Sequence, residues 1–102
     1  MTYDEVIATL QGRIGRSIAV NVTETTLGRG SGYVADFAGN LTRVDEPVAG
    51  VDEPVFYFRV DDDGGFAVHK NMFEGASWET IAGQRWLIVR LAHVELGLDL
   101  TD

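Results

Sequence analysis

Two histidines, His69 and His93, and the carboxylate run Asp61-Asp62-Asp63 are the side chains of this chain with the most chemistry to offer. Imidazoles beside carboxylates bind divalent metals or move protons, but both roles depend on spacing. Neither H-x-x-x-H nor H-E-x-x-H occurs, and a metal needs at least three ligands, so no metal site is expected. A calcium loop opening at Asp61 requires an oxygen ligand in fifth place, glycine in sixth and glutamate in twelfth. The chain puts Gly65, Phe66 and Met72 there. Asp and Gly are also the residues of tight turns, and DDDGG is read as one. Ser17, Ser31 and Ser77 stand outside any G-x-S-x-G context, and GRGSG at 28–32 lacks the helix and the lysine of a phosphate-binding loop. The chain has no cysteine, which removes thiolate nucleophiles, thiolate zinc sites and disulfides. No catalytic, cofactor-binding or metal residue is therefore assigned, no cofactor is expected, and the protein is expected not to be an enzyme.

The scaffold that positions the remaining side chains is bounded by size and charge. At 102 residues with 45% hydrophobic content the chain is expected to form one globular domain. No apolar run reaches the length of a membrane span, and MTYDEVIATL is acidic where a signal peptide is basic. A soluble, cytoplasmic protein with no membrane association is expected. The net charge of −8 is unevenly placed. Up to Val44, four arginines balance four carboxylates; from Asp45 onward, four cations face twelve carboxylates. Affinity for nucleic acid draws on cations that release phosphate counterions, so nucleic acid is an unfavoured partner. A basic protein partner, or plain solubility, suits this field better.

Along the chain, Thr2-Tyr3-Asp4-Glu5 has the form of a capping box, and Tyr3, Val6, Ile7 and Leu10 follow on one helical face. The spacing predicts a helix over about 2–11, with Gly12 as a left-handed stop. Ile18, Val20 and Val22 then alternate with polar residues as a strand buried on one face. A second strand is expected from about Tyr33 to Val44, bent at Gly39-Asn40. The pentapeptide VDEPV occurs twice within 44–55 and contains both prolines. Proline lacks the ladder amide, so the stretch of about 45–54 is read as an acidic, solvated connector. VFYFRV and FAVHKN flank DDDGG as a hairpin, with Val60 set against Phe66, Phe58 against Val68 and Tyr57 against His69. Residues 72–84 are open between a short helix capped by Ser77 and an irregular loop. In the last segment Leu87, Val89 and Leu91 share one parity, whereas Val94, Leu96, Leu98 and Leu100 share the other. That switch requires a bulge or break near Ala92-His93. The sum is one helix and about five strands, expected as a small, partly open, bent β-barrel.

Residues 1–45 carry a family outline. The N-terminal helix, the GRSIAVNV strand and GYVADFAGNLTRVD together resemble Sm-like proteins. Their first motif has a glycine, a hydrophobic residue two positions on, an aromatic at five, and Asn-Leu before an acidic turn. Gly32, Val34, Phe37, Asn40-Leu41 and Asp45 follow it. Ala38 stands where the family has aspartate, Asn40 falls two residues early, and the second motif, with Arg/Lys-Gly near the last strands, is absent. The resemblance implies a five-stranded bent barrel and a ring-forming habit, without the family's uridine-binding residues.

Aromatic residues are the remaining resource. Tyr33, Phe56, Phe58, Phe66 and Trp86 are expected in the core, and Tyr57, Phe73 and Trp78 are harder to bury. Trp86 and Ile88 lie opposite Leu87, Val89 and Leu91, so this strand is apolar on both sides and needs a lid or a neighbouring subunit. A homo-oligomer is therefore expected, with Tyr57, Arg59, His69, Trp78, Trp86 and Ile88 as the candidate interaction surface. The function expected is a non-enzymatic protein-interaction or self-assembly module. The alternatives are an Sm-like nucleic-acid-binding ring, and an acidic inhibitor of a basic toxin or nuclease.

Overall fold

The computed structural model describes residues 1–25, 32–45, 55–61 and 64–100. Most of GRGSG, the VDEPV repeat from Glu46 to Pro54, Asp62-Asp63 and the side chain of Tyr33 lie outside the described residues. Helix α1 spans Tyr3–Gln11, and seven strands follow: β1 Ser17–Glu24, β2 Gly32–Asp45, β3 Val55–Val60, β4 Gly64–His69, β5 Phe73–Ile81, β6 Gln84–Leu91 and β7 Val94–Asp99. They form one antiparallel sheet in the order β4-β3-β2-β1-β7-β6-β5. Two meanders, β1 to β4 and β5 to β7, are thus joined along β1 and β7, where Val20 faces Leu98 and Val22 faces Leu96.

The helix starts as its sequence dictates. Thr2 Oγ1 accepts from the Glu5 amide at 3.2 Å, and Glu5 Oε1 accepts from the Thr2 amide at 2.9 Å. That bond from the Thr2 amide, then the Thr2 hydroxyl contact, holds the Glu5 carboxyl below its ordinary pKa. A lowered folded-state pKa stabilises the fold above the unfolded pKa of glutamate, and the contribution disappears as pH falls through the lowered value. Thr2→Ala is expected to cost about 1 kcal/mol at neutral pH, read as a lower urea midpoint with an unchanged slope. Gly12 is not the left-handed stop: its φ is −69°, and the positive φ falls on Gly15 at 91°. The helix end is instead closed by the Gly12 amide donating to Ala8 O, and the turn is pinned by the Gly15 amide donating to Leu41 O of β2.

The five-stranded barrel is corrected to a seven-stranded open sheet, and two features account for the difference. Residues 73–81 are a strand, hidden in the sequence because Gly75, Ala76 and Ser77 supply no apolar alternation. Of the bulge or break expected at Ala92-His93, the structure has the break: the chain reverses there, Arg90 faces Glu95 across a tight turn, and one expected strand becomes β6 and β7. The β3–β4 hairpin keeps its expected faces but is shifted by two residues, pairing Val60 with Gly64, Phe58 with Phe66 and Tyr57 with Ala67. Gly65 can enter the ladder because it has no side chain: a Cβ there would sit 2.6 Å from Phe58 O. β2 runs without interruption through Gly39-Asn40. The Asn40 amide donates to Asp61 Oδ1 at 2.9 Å, tying the turn after β3 to the middle of β2.

β4 and β5 stand at opposite ends of the sheet order, yet only the 3-10 turn Lys70–Met72 separates them in the chain. The sheet therefore bends until its ends approach, and among the described residues no ladder joins them. α1 lies at this opening. Tyr3 Oη donates to Val68 O of β4 at 2.8 Å, and the Met1 ammonium donates to Ala76 O of β5 at 2.9 Å. Burial, then the neighbouring Asp4 charge, raises the Tyr3 pKa, so the hydroxyl keeps its proton for this bond. The concave side holds the core: Val6, Leu10, Leu41, Phe58, Val68, Leu87, Val89 and Leu98 are buried in one cluster with Ile18 and Val20.

Candidate functional site

The six expected surface residues fall into two groups at separate parts of the sheet. Tyr57, Arg59 and His69 lie on the outer face of β3 and β4, because the residues that alternate with them along the strands, Phe58, Phe66 and Val68, point into the core. Tyr57 is 47% exposed, and Arg59 Nε donates to Asp45 Oδ2 at 2.9 Å. This second contact is an exposed ion pair of small energetic weight. The cross-strand pair of Tyr57 is Ala67, and His69 pairs with Val55. Trp78, Trp86 and Ile88 lie on the β5–β6 hairpin, but not on one face. Trp78 pairs with Leu87 on the core side of the sheet, whereas Trp86 and Ile88 face outward. Trp78 is 37% exposed at the rim, with the Arg85 guanidinium 4.6 Å from its ring centroid.

The outer face around Trp86 is where geometry concentrates. Ladder register sets Ile88 beside Gly97 of β7, and Gly97 beside Asn21 of β1. With no side chain at Gly97, the indole of Trp86 lies over it: a Cβ built there would be 3.5 Å from Trp86 Cε3 and 3.8 Å from Ile88 Cδ1. Ile88 retains only 4% exposure although it stands outside the main core cluster. The expected second apolar side is therefore real. For Ile88 it is settled within the chain, by Trp86 and the glycine floor, while α1 packs on the other face.

A hollow of about 340 Å³ opens over this floor, lined by Ile88, Gly97, Trp86, Asn21 and Thr23 and closed at one end by Ile81 and Gln84. A second, of about 260 Å³, lies toward β2 beside Ala19, Asp36 and Ala38. Trp86 and Asn21 belong to both. The indole thus lines both depressions and stands as the partition they share.

The polar groups about the partition are the neutral Asn21, Thr23 and Gln84 and two carboxylates. Glu95 lines the larger hollow and Asp36 the smaller. Asp99, 9% exposed, accepts from Gln84 Nε2 at the end wall. Arg90 is the nearby cation on this face, and its Nη2 donates to Glu79 Oε2 at 2.7 Å. No family model, curated protein or solved structure matches the chain. The site must therefore be understood from its own chemistry.

The arrangement offers a guest the apolar surface of Trp86 together with carboxylates at Glu95 and Asp36; a cation over an indole face adds about 0.5–1 kcal/mol at an exposed site. Among the described residues no three His, Asp or Glu side chains cluster to hold a metal ion. His69 ends β4, whereas His93 lies in the β6–β7 turn. No described helix is long and apolar enough to cross a membrane. Asn21, Thr23, Glu95 and Gly97 escape notice in the sequence because each sits at a polar parity position of its own strand, and Gln84 because it falls in the stretch 72–84 that the sequence leaves open. The one available signal was Gly97 between Leu96 and Leu98, since glycine inside a strand marks close approach by another group.

Proposed function

We propose that this protein is a non-enzymatic protein-binding module whose outer face receives a basic partner. The hollow partitioned by Trp86 takes a partner side chain with an apolar stem and a cationic head, arginine or lysine. One observation carries this reading: an indole lying on a glycine floor beside Ile88, with Glu95 and Asp36 in the lining of the two hollows, in a chain of net charge −8. Long cationic side chains bury their stems on apolar surface while the head stays with water or a carboxylate. The surrounding negative field speeds the encounter and makes it sensitive to salt.

The test uses Trp78→Phe, which leaves Trp86 as the sole indole of the protein. This variant is titrated with an acetylated, amidated hexapeptide of alternating arginine and leucine, and with a control in which glutamine replaces arginine. Trp86 emission is expected to change saturably with the arginine peptide, to respond less as salt rises, and to ignore the control. Unchanged Trp86 emission in low salt would refute the proposal.

A further inference from the structure

The β5 edge is half closed. Ala76 O accepts from the Met1 ammonium, so the backbone groups of Ala76 point away from β6. The ladder is regular from Ala76 to Ile81, and directions alternate along a strand. The amide and carbonyl of Trp78 and of Thr80 therefore point to the same open edge. The two-residue turn at Ala82 and Gly83 agrees: with φ of 53° and 80° it is a type I′ turn, whose flanking residues Ile81 and Gln84 bond to each other. No described backbone group pairs with Trp78 or Thr80 along this edge.

We infer that this edge is the dimer contact of the protein, taken by the same strand of a second copy running antiparallel about a two-fold axis. Trp78 of each copy faces Thr80 of the other, which satisfies all four open groups on each side. Ser77 then faces Ile81, and the pairing extends over the five residues from Ser77 to Ile81. It stops where it must: the partner's turn falls opposite Ala76, whose carbonyl Met1 already occupies. An isologous contact of this kind closes at two subunits and leaves no open group on the β5 edge for a third.

The charge on the hairpin favours a second copy over a strongly charged guest. Glu74 and Glu79 are balanced by Arg85 and Arg90, so the acidity of the chain is not concentrated here. Charges more than about 8 Å away are largely screened at physiological salt. The two-fold sets Glu79 against its own counterpart, a pairing that is unfavourable for bare carboxylates. Each Glu79 carries Arg90 at 2.7 Å, and the four groups can alternate in sign across the axis. The contact also covers Trp78 and Ile81, which are 37% and 51% exposed in the single chain. Of the residues from Ser77 to Ile81, it shares only Ile81 with the lining of the Trp86 hollow.

The absence of cysteine makes the test clean. Directly opposed residues of a non-hydrogen-bonded antiparallel pair have Cα atoms about 4.5 Å apart, within disulfide range. Glu79→Cys is expected to form a covalent dimer under mild oxidation. Ile81→Cys, which would face Ser77, is expected to remain largely uncrosslinked, and Ile81→Cys with Ser77→Cys to crosslink. Equal crosslinking of Glu79→Cys and Ile81→Cys overturns the inference. A second variant, Thr80→Pro, removes an outward amide while sparing the β5–β6 ladder. Sedimentation equilibrium is expected to show a dimeric parent and a monomeric Thr80→Pro with parental circular dichroism. A monomeric parent, or a folded Thr80→Pro that remains dimeric, overturns the inference.

Discussion

Phe58→Ala is expected to destabilise the protein by about 3–5 kcal/mol, the range for deleting a buried phenylalanine ring from a packed core. Phe58 is fully buried on β3, and its ring stacks on Phe66 of β4 at a centroid distance of 5.3 Å with planes 19° apart. The deletion removes the burial of the ring and the aromatic pair together, and the neighbouring side chains of a curved sheet cannot collapse to fill the space. Domains of this size have a total stability of about 5–15 kcal/mol, so the loss is a large share of it. Urea denaturation followed by circular dichroism should show the midpoint fall steeply, with part of the chain unfolded even without denaturant at the low end of that range. Phe58→Leu, which keeps more of the volume, should lose clearly less. A loss below about 1 kcal/mol for the alanine variant would mean that the Phe58–Phe66 stack does not organise this half of the core.

The second large effect concerns binding. Trp86→Ala is expected to weaken the arginine–leucine hexapeptide by about 2 kcal/mol, roughly thirtyfold in Kd, because it removes the partition that forms one wall of both hollows. Calorimetry reads this directly, since the reporting indole is gone. The substitution also uncovers Ile88, so the variant must first be shown to be folded by its amide spectrum. Glu95→Gln supplies a check that conserves volume: it should shift the Kd less and flatten its salt dependence. If Trp86→Ala binds as tightly as the parent, the guest sits elsewhere on the acidic half of the chain.

The parts of the fold that could be read from sequence are those decided by near neighbours. Thr2, Glu5 and the spacing of Tyr3, Val6, Ile7 and Leu10 specify α1 without help from the rest of the chain. Ile18, Val20 and Val22 set the buried face of β1 in the same way. What remained hidden depends on distant partners. The parity switch after Leu91 was visible, but a bulge and a reversal both satisfy it, and the choice is made by β7 pairing with β1. β5 was obscured because its small residues gain their strand geometry from β6. The site divides along the same line. Trp86 and Ile88 stood out as an unexplained apolar pair on one strand, while Gly97 and Asn21 come from two other strands brought alongside.

The seam between the two meanders carries a kinetic consequence. Among the described residues every other ladder joins strands adjacent in the chain, whereas this one unites Ala19 with Asp99 and Glu24 with Val94. Closing a loop of that length forfeits chain entropy before any hydrogen bond forms, and proteins rich in such distant pairings fold slowly. The hairpins of each half therefore zip first, and the molecule waits on the docking of its first strand against its last.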